Sequence, residues 1–148
     1  MATIYVAGPV LRVPDIADAE ALDRIYSMIG ETAQSSRLEP RFPEPEYSLD
    51  RAAPKEFYGE ISSRIEEADA VITVLSPFDL SAASESTIAA IQGKQQLLVL
   101  NGLDHAPRIL EGMPSMTVVS AENDKELSRA LRKFMEAQAP PPSVVSSA

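Results

Sequence analysis

Short apolar runs alternate with segments of helical periodicity along this chain. The runs are "TIYVAG" from residue 3, "DAVITVLSP" from residue 69, "QQLLVLN" from residue 95 and "SMTVVSA" from residue 115. Apolar runs of this length, rich in β-branched residues, are typical of strands that are buried on both faces of a sheet. We predict these four strands and a fifth, brief one near Leu38.

Four helices are predicted from apolar residues that recur at helical spacing. They cover residues 15–29, 55–68, 83–92 and 123–138. We expect Gly30 to end the first helix and Gly93 to end the third, because glycine is common just beyond helix ends. Strands and helices that alternate in this order imply an open parallel sheet of about five strands, covered by helices on both faces.

A single domain over residues 1–137 is expected, because 148 residues suffice to bury a sizeable core. Residues 138–148 are rich in Pro and Ser, and we expect them to form a disordered tail. Ligands of open parallel sheets bind beyond the carboxyl ends of the strands, where the strand order reverses. Three stretches should meet there: residues 5–9, the Pro-rich segment 37–54, and residues 76–85.

Composition excludes several kinds of chemistry. The chain has no Cys and a single His, at position 105, so thiol nucleophiles, disulfides and the usual zinc clusters are excluded, and no metal is expected. A net charge of −9 argues against nucleic acid and anionic membranes as partners. The first residues lack a signal-peptide pattern, and no apolar run is long enough for a membrane span, so we expect a cytoplasmic protein.

Two carboxylates follow the strand "DAVITVLSP", in the stretch "SPFDLSAASESTIAAIQGK". Glu85 is expected in the first turn of a helix, where the helix dipole favours the ionised form. Such a position suits either a structural helix-start acid or a nucleophile, and the spacing does not form a capping box. The role of Asp79 is equally open: it is either a turn residue or an acceptor for a substrate hydroxyl.

These motifs, in this order, resemble the nucleoside 2-deoxyribosyltransferase family, which also contains N-glycosidases acting on deoxynucleotides or pyrimidine nucleotides. "IYVAGP", residues 4–9, is similar to the first-strand motif of that family. Residues 67–100 carry its later motifs in register: an Ala-Asp pair, a strand, an acid, a Glu and a Gly-Lys pair. The resemblance covers roughly residues 2–101 and implies a flavodoxin-like fold.

The resemblance assigns roles to individual residues. It implies that Glu85 is the nucleophile that attacks C1′ of the sugar, that Tyr5 hydrogen-bonds and orients it, and that Asp79 holds a sugar hydroxyl. It also implies that Gly8, Pro9 and Ser81 contact the substrate. The expected reaction passes the sugar of a (2-deoxy)nucleoside to a free nucleobase, without a cofactor, in a homodimer or larger homo-oligomer.

The sequence departs from the family pattern in ways that leave alternatives open. The turn before Glu85 is "SAAS" where the family is Gly-rich, and Ile61 replaces an Asp that contacts the base. Hydrolysis of a nucleoside or nucleotide, or a non-catalytic nucleotide-binding or scaffold domain, therefore remain alternatives. Arg12 as a phosphate contact, and Tyr47 with Phe57 as an aromatic lid, are weaker expectations.

Overall fold

The computed structural model describes residues 1–10, 16–43 and 53–139, and within them five strands form one parallel sheet. The strands are β1 Thr3–Ala7, β2 Glu39–Arg41, β3 Ala70–Leu75, β4 Gln95–Leu100 and β5 Met116–Ser120. Their order across the sheet is β2-β1-β3-β4-β5, which is a flavodoxin-like arrangement. The predicted fold is therefore confirmed.

The helices of the described residues are α1 Ile16–Ser35, α2 Pro54–Glu67, α3 Leu80–Ile91, α4 Arg108–Glu111 and α5 Asp124–Gln138. The short α4 had no counterpart in the sequence pattern. Residues 140–148, most of the expected tail, lie outside the described residues. None of these helices combines the length and the apolar character that crossing a bilayer requires.

The expected end of α1 at Gly30 is wrong, because the helix continues to Ser35. Just beyond the end of the helix, Arg37 has a left-handed φ of 58°, and the amide of Leu38 donates to the carbonyl of Ala33 at 2.9 Å. This is the hydrogen-bond pattern with which helices commonly terminate, here without the usual glycine. Gly30 lies where a Cβ would be 3.7 Å from the Phe42 ring, so the ring packs closely against the helix.

The core lies on both faces of the sheet. Helices α1 and α5 cover one face with side chains that share a single buried cluster with β1, β3 and β4, among them Ile25, Ile29, Leu127 and Leu131. The opposite face is covered by α2, α3 and α4 in two smaller clusters. Alternate residues of β1 therefore face different layers, and Tyr5 faces α2 and α3.

Two motif pairs from the family resemblance have structural tasks in this chain. The carboxylate of Asp69 accepts a hydrogen bond from the amide of Thr3 at 2.7 Å, which ties the start of β1 to β3. Lys94 donates from Nζ to the carbonyls of Glu66 at 2.8 Å and Ala68 at 2.7 Å, at the end of α2. A cation at a helix C-terminus satisfies carbonyls that have no partner within the helix.

Candidate active site

The hydrogen bond between Tyr5 and Glu85 is the centre of the candidate site. The Tyr5 hydroxyl donates to Oε1 of Glu85 over 2.7 Å. Tyr5 is 8% exposed and packs with Ala7, Val71 and Ile61. The bond joins β1 to α3 at the boundary between β1 and β3, where the strand order reverses and where ligands of this fold bind.

Asp79 determines where α3 begins. Its Oδ1 accepts a hydrogen bond from the amide of Ala82 at 3.0 Å, so Asp79 is the N-cap and the helix starts at Leu80. The predicted start at Ala83 is wrong, because the helix begins directly after this cap, three residues earlier. Glu85 is consequently the sixth residue of α3, in its second turn, and not in the first turn as expected.

The helical start also changes the meaning of the "SAAS" segment. Residues 81–84 belong to the first turns of α3, and none of them has a positive φ, so this backbone requires no glycine. The left-handed residue of the β3–α3 connection is Phe78, with φ 63°. The "SAAS" segment is therefore compatible with the backbone without a glycine, because α3 has already begun at Leu80.

Asp79 keeps one oxygen without a protein partner. Its Oδ2 is buried and makes no hydrogen bond within the described residues, while Oδ1 is used by the helix cap. A buried acceptor without a partner carries a desolvation cost of about 1–3 kcal/mol. A ligand hydroxyl that donates to Oδ2 would remove this cost.

Burial raises the pKa of the Glu85 carboxyl above its ordinary value. The hydrogen bond from Tyr5 opposes this effect, and the negative charge of Asp79 adds to it. Glu85 was expected to be held ionised by a first-turn helix dipole, and this expectation is wrong. The Tyr5 hydroxyl is the group that favours its ionised form.

Tyr26 is a site residue that the sequence did not reveal. Its hydroxyl donates to the carbonyl of Pro9 over 2.7 Å. Burial raises the pKa of Tyr26 far above its ordinary value, and the charges of Asp79 and Glu85 raise it further, so this hydroxyl lies in the field of both carboxylates. In the sequence Tyr26 is one member of the apolar stripe of α1; the available signal was a hydroxyl on a stripe otherwise formed by aliphatic residues.

The other predicted residues are placed as follows. Gly8 and Pro9 are half-buried, directly beyond β1 and beside Tyr26. Ser81 is exposed in the first turn of α3, and Ile61 is a core residue packed with Tyr5. Phe57 and His105 are exposed. Arg12 and Tyr47 lie outside the described residues. The described part of the chain has no cluster of three or more His, Cys, Asp or Glu that could hold a metal ion.

Fold and site together define a flavodoxin-like α/β protein with a tyrosine–carboxylate pair at its switch point. Neither a protein-family model nor a curated protein matches the sequence. Solved structures do. A CMP N-glycosidase from Clostridium botulinum is 17% identical with a TM-score of 0.59, over 87% of this chain and 97% of the other.

Two 2-deoxyribosyltransferases are similar to the same extent. The enzyme from Bacillus psychrosaccharolyticus is 16% identical with a TM-score of 0.60, over 94% of this chain and 96% of the other. The enzyme from Leishmania mexicana is 22% identical with a TM-score of 0.57, over 88% and 97%. The predicted resemblance is thus confirmed at the level of the fold; a function has to be argued from the site.

Proposed function

We propose that this protein cleaves the N-glycosidic bond of a (2-deoxy)nucleoside and transfers the sugar to another nucleobase, with Glu85 as the nucleophile. The observation that carries the proposal is the 2.7 Å hydrogen bond from Tyr5 to Glu85 at the switch point, beside a second carboxylate with an unpartnered oxygen. The likeness of the fold to transferases and to an N-glycosidase supports the same reaction class.

The reaction is a double displacement at C1′. Tyr5 occupies Oε1 of Glu85, which leaves Oε2 for attack on C1′. The Oε2–C1′ bond forms as the C1′–N bond breaks, and the departing base carries the electron pair and takes up a proton from water. A nitrogen of the acceptor base then bonds to C1′ as the Oε2–C1′ bond breaks, and the acceptor gives up its proton to water. A carboxylate beside C1′ also stabilises the positive charge that develops on the sugar.

Asp79 is proposed to bind the sugar. A sugar hydroxyl that donates to Oδ2 gives this buried oxygen its missing partner, while Oδ1 continues to cap α3. One side chain would then tie the sugar to the helix that carries the nucleophile. Because the group is a carboxylate near a second carboxylate, we favour a neutral sugar hydroxyl over a phosphate at this position.

A homo-oligomer is proposed, supported by the surface of α3. The helix carries a single charged residue, Glu85, which faces Tyr5, whereas two of its three large apolar residues, Leu80 and Ile91, are exposed. An outer helix face without charge is unusual on a chain of net charge −9 and is typical of a contact surface. Light scattering on the wild type and on a Leu80→Lys/Ile91→Lys variant tests this: a mass that drops to the monomer supports the proposal, and a monomeric wild type contradicts it.

The activity is tested by incubating the protein with a panel of 2′-deoxynucleosides, with and without a second free base, and separating the products by chromatography. New nucleoside that disappears in Glu85→Gln supports transfer. Free base without new nucleoside indicates hydrolysis, the alternative activity, and cytidine and deoxycytidine monophosphates extend the panel. No product from any substrate contradicts the proposal and favours a binding or scaffold domain. Glu136→Gln, an exposed carboxylate of α5, is the matched control.

A further inference from the structure

Tyr26 reaches the candidate site from the opposite side of the sheet to Tyr5 and Glu85. It belongs to α1, in the core layer of α1 and α5, whereas Tyr5 faces α2 and α3. Its ring packs against Phe42, with the ring centroids 5.6 Å apart and the planes at 60°. A hydroxyl on a ring that is held in this way has a defined position at the carboxyl edge of the sheet.

The Tyr26 hydroxyl binds the segment that directly follows β1. It donates to the carbonyl of Pro9, the second residue beyond β1. The preceding residue, Gly8, packs against Tyr26, because a Cβ at position 8 would meet the Tyr26 hydroxyl. The same Cβ would lie 3.2 Å from the Cβ of Val74 and 3.3 Å from the carbonyl oxygen of Val74. Gly8 has no positive φ, so this close approach, and not an unusual backbone conformation, explains why a glycine stands here.

We propose that Tyr26 is a positioning residue of the sugar site: its hydroxyl holds Gly8 and Pro9 beside the two carboxylates and thereby sets the affinity for substrate. This inference rests on the proposed function. Tyr26 does not touch Glu85 in any hydrogen bond of the structure, so it is assigned no part in the chemical step. Its effect is on the position of Gly8 and Pro9.

The electrostatics support this assignment. Gly8 lies against Val74 of the neighbouring strand β3, and Asp79 follows β3, so the segment that Tyr26 holds and the proposed sugar site lie at the same edge of the sheet. The charges of Asp79 and Glu85 also act on the Tyr26 hydroxyl. The same charges and the burial of the ring raise the pKa of Tyr26, so the hydroxyl remains a donor to Pro9 throughout the pH range in which an enzyme of this class would act.

The test compares Tyr26→Phe with Tyr58→Phe. Tyr58 is an exposed tyrosine of α2 and controls for the loss of any phenolic hydroxyl. Removing one neutral hydrogen bond is expected to change an equilibrium about three- to tenfold. Tyr26→Phe should therefore raise KM for the nucleoside about three- to tenfold with kcat within about twofold of wild type, whereas Tyr58→Phe should change neither. An unchanged KM in Tyr26→Phe overturns the proposal.

A second measurement does not depend on turnover. Amide hydrogen exchange followed by NMR should be about three- to tenfold faster at Gly8 and Val10, the two amides that flank Pro9, in Tyr26→Phe and unchanged in Tyr58→Phe. Exchange equal to that of wild type overturns the positioning role even if the protein is an active enzyme. Faster exchange in a protein that turns over no nucleoside shows that the proposed function has failed while Tyr26 still holds the loop.

A pair of variants checks the contact between Tyr26 and Gly8. Gly8→Ala places a methyl group against the Tyr26 hydroxyl, and we expect a rise in KM at least as large as that of Tyr26→Phe. In the double variant Gly8→Ala/Tyr26→Phe the closest obstacle is gone, so its KM should be lower than the product of the two single effects predicts. Strictly multiplicative effects would show that the two residues act independently and would contradict the proposal.

Discussion

Tyr5 and Glu85 are 80 residues apart in the sequence and share a 2.7 Å hydrogen bond between β1 and α3. The bond has an energetic consequence, because the burial of Glu85 disfavours the charge that a nucleophile needs. The phenol of Tyr5 compensates in part for the water that Glu85 has lost.

Tyr5→Phe should move the acid limb of the pH profile of kcat/KM to higher pH. The Tyr5 hydrogen bond lowers the pKa of Glu85, so its removal lets burial and Asp79 raise that pKa further. Because the reaction requires ionised Glu85, a higher pH is then needed for the same ionised fraction. Kinetics over a series of buffers check this. An acid limb that stays in place or moves to lower pH would show that Tyr5 does not act on the ionisation of Glu85.

Glu85→Gln should make the protein more stable at neutral pH. The pKa of Glu85 is raised in the folded state, so the folded chain holds its proton more tightly than the unfolded chain and stability falls as pH rises through this interval. Gln has no charge to desolvate and still accepts the bond from Tyr5. Thermal denaturation should show a higher Tm than wild type at neutral pH, with the difference shrinking toward acid pH.

The control for this comparison is Glu136→Gln, which removes an exposed carboxylate. Its Tm should differ little from that of wild type at every pH. A Glu85→Gln protein that is less stable than wild type at neutral pH would contradict the assigned burial cost.

Substitutions of Asp79 should separate its two roles. Asp79→Ala removes the N-cap of α3, which lowers the free energy of unfolding by about 0.5–2 kcal/mol, and also removes the desolvation cost of the unpartnered Oδ2, so we expect the net loss to be smaller than for a cap alone. Asp79→Asn keeps a good N-cap and should be close to wild type in stability, yet it replaces the carboxylate that is proposed to bind the sugar. Denaturant unfolding and KM, measured on both variants, check this. Wild-type KM in Asp79→Asn would exclude the carboxylate from sugar binding.

Phe78→Gly should leave stability nearly unchanged. The ring of Phe78 is fully exposed, so its loss opens no cavity, and its left-handed φ of 63° is one that glycine adopts without strain. A buried Phe truncated in the core costs about 3–5 kcal/mol, whereas here we expect a change of less than about 1 kcal/mol. Urea unfolding gives the answer. A loss of stability as large as that for a buried Phe would show that the Phe78 ring packs against the rest of the protein.

The sheet could be predicted from the sequence, because strands buried on both faces leave continuous apolar runs. β3 and β4 were located to within two residues on this basis. Helix ends were harder to predict from the sequence, because they depend on tertiary contacts or on residues that rarely end helices. Gly30 lies inside α1 with the Phe42 ring packed against it, and Arg37 takes the left-handed position that glycine usually occupies.

The candidate site was predictable where a side chain lies in a motif and not where it acts from elsewhere. Tyr5, Asp79 and Glu85 could be named because they lie in sequence motifs that resemble those of a known family. Tyr26 could not, because nothing in a helical stripe shows that one ring will bond to Pro9 across the sheet edge. The ionisation of Glu85 was misjudged for a related reason: it follows from burial by distant residues, and a single misplaced cap put the residue in the wrong turn.

The most direct test of the account is the capture of the glycosyl–enzyme intermediate. The protein is mixed with a 2′-deoxynucleoside without acceptor base, quenched in acid, digested and examined by mass spectrometry. We expect a mass increase of one deoxyribosyl group on the peptide that contains Glu85, absent from Glu85→Gln and present in Glu136→Gln. Turnover of the nucleoside with no adduct on Glu85, or with an adduct on another residue, would contradict it.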